Sequence, residues 1–336
     1  MEIVKMIFVL AAFILFFLLL NKLEKSEKLN SEFIRKILHI GSGIGGLTLP
    51  FIFERKISVV ILGIVFLVLL VSIRIVKNKV TGFKKVLETK NRKTLGDIYF
   101  IMSILGLWLV SSDNKVMYAL PLIILMLSDA FAALIGEFYS KYKFNTGFGT
   151  KSIEGSVTFF LTTYFICINF FLFFSDIGSI NIVLVSLLLS ILTMILEVIS
   201  WNGLDNLFVP FFVYMFLRLN LYLTEKELMY KFWVIVILFV IIILNRKKTT
   251  LTRTAQTASL FFLYIIMIMG GIRWLIPPLT MYLGYYHFTP KVEGQIKDSL
   301  KGLLAIAFTT SIWLALSIVM DKGKLFLIYI FSFSLH

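Results

Sequence analysis

Asp129 stands in the middle of the apolar run 116–136, and 22 residues further on a polar stretch, Lys151-Ser152-Ile153-Glu154-Gly155-Ser156, precedes another apolar run. A carboxylate at membrane depth costs roughly 2.5 to 3.5 kcal/mol on insertion scales, so it persists where an ion, a substrate or a cationic partner compensates it. On a helix, Ser128, Ala132 and Gly136 recur at i, i+4 and i+8, with Ala130 and Ala133 beside them, a pattern that lets neighbouring helices approach closely. Asp129 is therefore expected to face protein rather than lipid. Its chemistry is that of a ligand or metal-holding group, with a structural ion pair or a transporter's proton relay as the alternatives.

In the segment 137–156, Gly147 and Gly149 flank Phe148, and Thr150-Lys151-Ser152 follow. Ser152 is placed to cap a helix starting near Glu154 and Gly155. Backbone N–H groups at a helix start, with a lysine and hydroxyls beside them, make an anion site. An ordinary capped helix is the plainer reading. A third element is Glu197, followed by Asn202, Asp205 and Asn206, with Pro210 beyond. Carboxylates with an amide oxygen suit Mg²⁺, whose remaining positions go to water and substrate phosphates. The alternative is a polar turn satisfying its own backbone. Pro210 suggests a helix broken at depth, which is tolerated where irregular backbone lines a cavity.

Arg35, Lys36 and His39 share one helical face by their spacing. Snorkelling anchors account for the first two; His39 is followed by Gly41, Gly43, Gly45 and Gly46, which can admit a close neighbour. The 77–97 loop is strongly basic, as expected of a surface facing anionic lipid, and only Arg92, Lys93, Gly96 and Asp97 look site-like within it.

The elements that must position these groups are membrane helices. Of 336 residues, 59% are hydrophobic, and the mean hydropathy is +0.93, well above soluble domains. The net charge of +14 falls in short segments between apolar runs, which favours lipid head groups and nucleotide phosphates over nucleic acid. A single cysteine, Cys167, excludes an intrachain disulfide. Apolar runs at 3–20, 37–53, 57–76, 98–112, 116–136, 155–175, 181–199, 207–217, 232–244, 254–271, 274–286, 302–320 and 324–335 predict an all-α polytopic bundle of about twelve transmembrane helices. Residues 6–20 resemble a signal-peptide core without a small-residue cleavage site, and are read as a retained first helix. With the N-terminus outside, the inward segments hold two thirds of the 33 lysines and arginines, so the positive-inside rule puts every suggestive segment on the cytoplasmic side of a cell membrane.

As an ordered set, Arg35-Lys36…His39…Gly43, Thr94-Leu95-Gly96-Asp97, Ser128-Asp129-Ala130…Gly136, Lys151-Ser152-Ile153-Glu154-Gly155 and Glu197…Asp205-Asn206…Pro210 resembles the polytopic lipid-alcohol kinases. That family includes dolichol kinase, phytol kinase and CTP-dependent diacylglycerol kinase, and shares motifs with CDP-diacylglycerol synthase. The resemblance spans roughly residues 30 to 215. It implies transfer of the terminal phosphate of CTP, with Mg²⁺ or another divalent cation, to an isoprenoid alcohol (polyprenol, dolichol or phytol type) or to diacylglycerol. In that reading Asp129 and Glu197 are the catalytic carboxylates, and Lys151, Ser152, Glu154, Gly155, Lys141, Arg92 and Lys93 attend the phosphates. Asp129, Asp205 and Asn206 hold the metal, and Asp97, His39 and Lys36 are further candidates. The chain departs from the family at Tyr139-Ser140-Lys141, where Phe-Gly-Lys is common, and at Glu137, which speaks against the synthase. A CDP-lipid-forming cytidylyltransferase and a transporter are the alternatives. Three regions follow: an N-terminal helix and linker at 1–29, a catalytic membrane domain at 30–217, and an accessory helical region at 218–336. Leu251-Thr252-Arg253-Thr254…Gly270-Gly271-Ile272-Arg273-Trp274…Pro277 is similar to the opening of the membrane family that includes plant phytyl-phosphate kinase, so a partial second domain is the alternative there.

Overall fold

The computed structural model describes residues 1–26, 29–75, 94–111, 114–146, 148–246, 249, 251–288, 300–320 and 325–334. Among them are thirteen helices and one two-stranded hairpin, an all-α protein. The chain divides into two units, 1–144 with 151–223, and 145–150 with 224–336.

The first unit contains α1 (Glu2–Lys25), α2 (Ser31–Ile52), α3 (Lys56–Ile75), α4 (Gly96–Val110), α5 (Lys115–Phe138), α6 (Ile153–Phe174), α7 (Ser179–Ile199) and α8 (Asp205–Asn220). The hairpin strands are β1 (Lys143–Asn145) and β2 (Thr150–Ser152). Side-chain oxygens set several helix starts by accepting orphan N–H groups. Asn30 takes the Glu32 N–H at 2.8 Å, Asn114 takes those of Val116 and Met117, and Ser152 takes that of Gly155 at 3.1 Å, which is the cap expected from the sequence. A buried aliphatic and aromatic cluster ties α2, α3, α4 and α5 together through Leu49, Leu62, Phe100, Leu107, Trp108, Tyr118 and Leu122. A smaller one, Phe17, Leu20, Ile34 and Leu38, fastens α1 to α2. The core helix is α7: 78% of its apolar window is buried, against 11% for α1.

The second unit contains α9 (Glu225–Asn245), α10 (Arg253–Gly270), α11 (Ile272–Phe288), α12 (Leu300–Met320) and α13 (Leu325–Ser334). Thr224 opens it with a reciprocal capping box to Glu227. Ile266, Leu314 and Tyr329 form its buried centre, with Trp274, Trp313 and Phe326 packed around them.

Among the described residues, eight helices are long and apolar enough to cross a membrane: α1, α3, α5, α6, α7, α9, α10 and α12. The expected count of about twelve is not confirmed among the described residues. The described parts of runs 98–112, 207–217, 274–286 and 324–335 lie in α4, α8, α11 and α13, of 15, 16, 17 and 10 residues. At 1.5 Å per residue even the longest of these reaches only about 25 Å, against a hydrocarbon core of roughly 30 Å. Helix α2 is long enough, but its polar start and its glycines keep it outside that set.

Pro210 does not break a helix; it lies inside α8. The break precedes it, at 200–204, where Asn202 (φ 52°) and Gly203 (φ 84°) both adopt left-handed backbone. A proline inside a helix removes the N–H that would bond the carbonyl four residues back. The carbonyl released by Pro210 is that of Asn206, and Ser103 Oγ donates to it at 2.5 Å. Pro50 releases the Gly46 carbonyl in the same way, and Tyr118 Oη donates to it at 2.7 Å.

Candidate functional site

The chemistry-bearing residues of the first unit come from the start of α2, the later half of α5, the β2–α6 junction, the end of α7 and the start of α8. Lys36 Nζ donates to Asp129 Oδ2 at 2.6 Å, and His39 Nε2 lies 3.5 Å from the same oxygen. Lys36 is 3% exposed and Asp129 14%, so Asp129 faces protein, as its small-residue helix face implied. That face works as expected against α6. Ser128 Oγ accepts from Thr163 Oγ1 at 2.9 Å, and Gly136 and Gly155 cross so closely that a Cβ on Gly155 would lie 2.9 Å from the Ala132 carbonyl oxygen. The His39 ring rests against Phe100, with centroids 4.5 Å apart, and its Nε2 is also 3.3 Å from the Leu125 carbonyl oxygen. Arg35, expected on the same face, turns instead to Glu32 one helical turn back.

Lys151 Nζ donates to the Glu197 carboxylate, and also to the Glu197 backbone carbonyl at 2.7 Å. An ammonium has three donors, so these two bonds leave one. Burial works to lower the Lys151 pKa, but the carboxylates of Glu197 and Asp205 outweigh it, and the group is held above the ordinary lysine value. Asp205, in the first turn of α8, lies within electrostatic reach of Arg35, Lys151 and Glu197, and Asp129 within reach of Lys151 and Glu197. One charge cluster therefore joins positions separated by up to 170 residues in the chain.

Beside it is a knot of backbone. Leu95 N–H donates to the Asn202 carbonyl at 3.3 Å, and Asn206 Nδ2 donates to the Gly96 carbonyl at 2.9 Å. A Cβ on Gly203 would sit 2.6 Å from the Gly96 Cα, so only glycine fits this crossing. Asp97, at the start of α4, is paired with Arg74 of α3, which also holds the Thr94 carbonyl at 2.7 Å.

Other expected residues sit apart from this chemistry. Ser152 Oγ is used as a helix cap. Glu154 accepts the backbone N–H groups of Lys141 (2.8 Å) and Tyr142 (3.1 Å), so it shapes the turn leading into the hairpin, and Lys141 is exposed. Arg92 and Lys93 lie outside the described residues. Three contributors escaped the sequence reading. Arg74, Gly203 and Ser103 were not singled out there, and each takes its meaning from a partner distant in the chain.

Asp129, Glu197 and Asp97 are each compensated by a cation, and among the described residues no three His, Cys, Asp or Glu side chains are grouped closely enough to hold a metal by themselves. Mg²⁺ does not need such a cage, because one or two carboxylates with water and substrate phosphates complete its shell. The start of α8 fits that requirement: Asp205 offers a carboxylate, and Asn206 Oδ1 is a buried oxygen with no hydrogen-bond partner among the described residues. No family model, curated protein or solved structure matches this chain.

Proposed function

We propose that the chain is a membrane phosphotransferase that moves the terminal phosphate of CTP to the hydroxyl of an isoprenoid alcohol or diacylglycerol, with its site facing the cytoplasm. The observation that carries this reading is the largely enclosed charge cluster of Lys36, Asp129, Lys151, Glu197 and Asp205 within one unit. Phosphoryl transfer asks little covalent chemistry of a protein. Positioning and charge neutralisation supply most of the rate.

In this reading the third donor of Lys151 receives a phosphate oxygen. Asp205 and Asn206 hold the divalent cation, which neutralises phosphate charge when bound. Asp129, oriented by Lys36 and His39, receives the acceptor's hydroxyl proton. The hydroxyl oxygen bonds to the terminal phosphorus as the bond to the bridging oxygen breaks. CDP departs with that electron pair, leaving a lipid phosphate.

The Lys36–Asp129–His39 triad also favours a second reading, since buried ionisable groups of this kind form proton relays in transporters. One assay separates the readings. Purified protein in lipid receives Mg²⁺ and CTP labelled on either the terminal or the innermost phosphate, with polyprenol, phytol, diacylglycerol or phosphatidate. Label entering lipid from the terminal position alone is the expected result. Entry from the innermost position alone replaces the kinase with a cytidylyltransferase, and no transfer to any lipid leaves the transporter.

A further inference from the structure

Asn206 makes two contacts that settle how its amide is turned. A backbone carbonyl can only accept, so the group 2.9 Å from the Gly96 carbonyl must be Nδ2, and Oδ1 faces the other way, buried and with no donor among the described residues. What keeps the residue in that pose is less local. Its own carbonyl is deprived of a helical partner by Pro210, and a buried carbonyl without a donor would draw the first turn of α8 towards another arrangement. Ser103 of α4, itself fully buried, supplies that donor at 2.5 Å.

We infer that Ser103 is a positioning residue: by holding the carbonyl that Pro210 releases, it fixes the start of α8, where Asn206 Oδ1 and the Asp205 carboxylate are the proposed ligands of a divalent cation. The inference rests on the metal reading of the proposed function. The Gly96–Gly203 crossing supports the same pose from the other side, because Asn206 reaches the Gly96 carbonyl only while that backbone stays close. Tyr118 acts as an internal contrast. It captures the Gly46 carbonyl released by Pro50 in the same manner, yet no proposed ligand lies at that carbonyl.

The test is a double-mutant cycle on the full chain in lipid nanodiscs, read as Mn²⁺ binding by electron paramagnetic resonance with CTP present. Ser103→Ala weakens Mn²⁺ binding roughly tenfold, the scale on which outer-shell partners act. Ser103→Thr, which keeps the hydroxyl, restores it to within about threefold. Pro210→Ala returns an N–H to position 210, so the Asn206 carbonyl regains its helical partner and Ser103 becomes dispensable. The Ser103→Ala/Pro210→Ala protein then binds Mn²⁺ within about twofold of Pro210→Ala alone, a non-additivity expected only of coupled sites. Because the double variant restores the missing bond, it also covers the case in which Ser103→Ala alone does not fold. Wild-type binding with Ser103→Ala unchanged, or a double variant as impaired as Ser103→Ala, overturns the inference and leaves the kinase reading standing. Absence of Mn²⁺ binding in the wild-type protein removes the metal reading itself, and this inference with it.

Discussion

The two units bury different things. The first hides charge: Lys36 against Asp129, Lys151 against Glu197, Arg74 against Asp97. The second hides rings. Trp274 packs on Tyr329 and Phe326 with centroids 4.6 and 5.0 Å apart, Arg273 lies over Phe326 at 4.6 Å, and Tyr329 Oη donates to the Trp274 carbonyl at 2.8 Å. Ring packing is satisfied within the protein and asks nothing of a ligand. Buried ion pairs are seldom the cheapest way to stabilise a core, since apolar residues of like volume often serve as well or better. Charge kept in such a place, in a chain this apolar, supports the proposal that a charged ligand binds there.

Changes that unbalance the charged unit test that contrast most severely. Asp129→Asn leaves Lys36 buried without its partner, so stability falls by about 3 to 5 kcal/mol, measured as thermal or denaturant unfolding in detergent. Adding Lys36→Met recovers most of that stability. Phosphate transfer stays lost in both variants if Asp129 serves chemistry; an active double variant assigns the pair to architecture instead. In the ring-built unit, Tyr329→Phe removes one hydrogen bond and no charge, costs about 1 kcal/mol, and leaves transfer to lipid within twofold of wild type, as a paired activity and melting measurement checks. The smallest effect is expected from pH. The Lys151 ammonium is held above its ordinary value, so its contribution is complete below the unfolded lysine pKa of 10.5 and is lost only as pH rises through the still higher folded value. Lys151 therefore adds no pH dependence to melting between pH 7 and 9. A slope in that window that disappears in Lys151→Met contradicts the pairing.

Much of the charged unit was legible before any fold was known. The spacing of Ser128, Ala132 and Gly136 announced a close helix crossing, and Ser152 announced a cap, because both depend on periodicities a few residues long. Asp129 advertised itself by cost alone. The helix count was less legible, since apolarity marks a buried short helix and a membrane span alike, and length alone sets the described parts of α4, α8, α11 and α13 apart from the eight helices long enough to cross. Pro210 misled for a related reason. Proline forbids one hydrogen bond but does not say whether the chain breaks or another group takes the freed carbonyl, and Ser103, 107 residues earlier, is that group.

Composition and local pattern alone determined that this is an apolar, all-helical membrane protein with a few costly polar groups, since burial cost and helix periodicity are properties of neighbouring residues. Which cation meets which carboxylate was decided only in the tertiary structure. Arg35 and Lys36 are adjacent and alike in charge, yet one turns to Glu32 and the other to Asp129. The α2–α5 packing alone selects between them, because a Coulomb pair is strong only at contact in a poorly screened interior, and contact between distant segments is not written in their spacing.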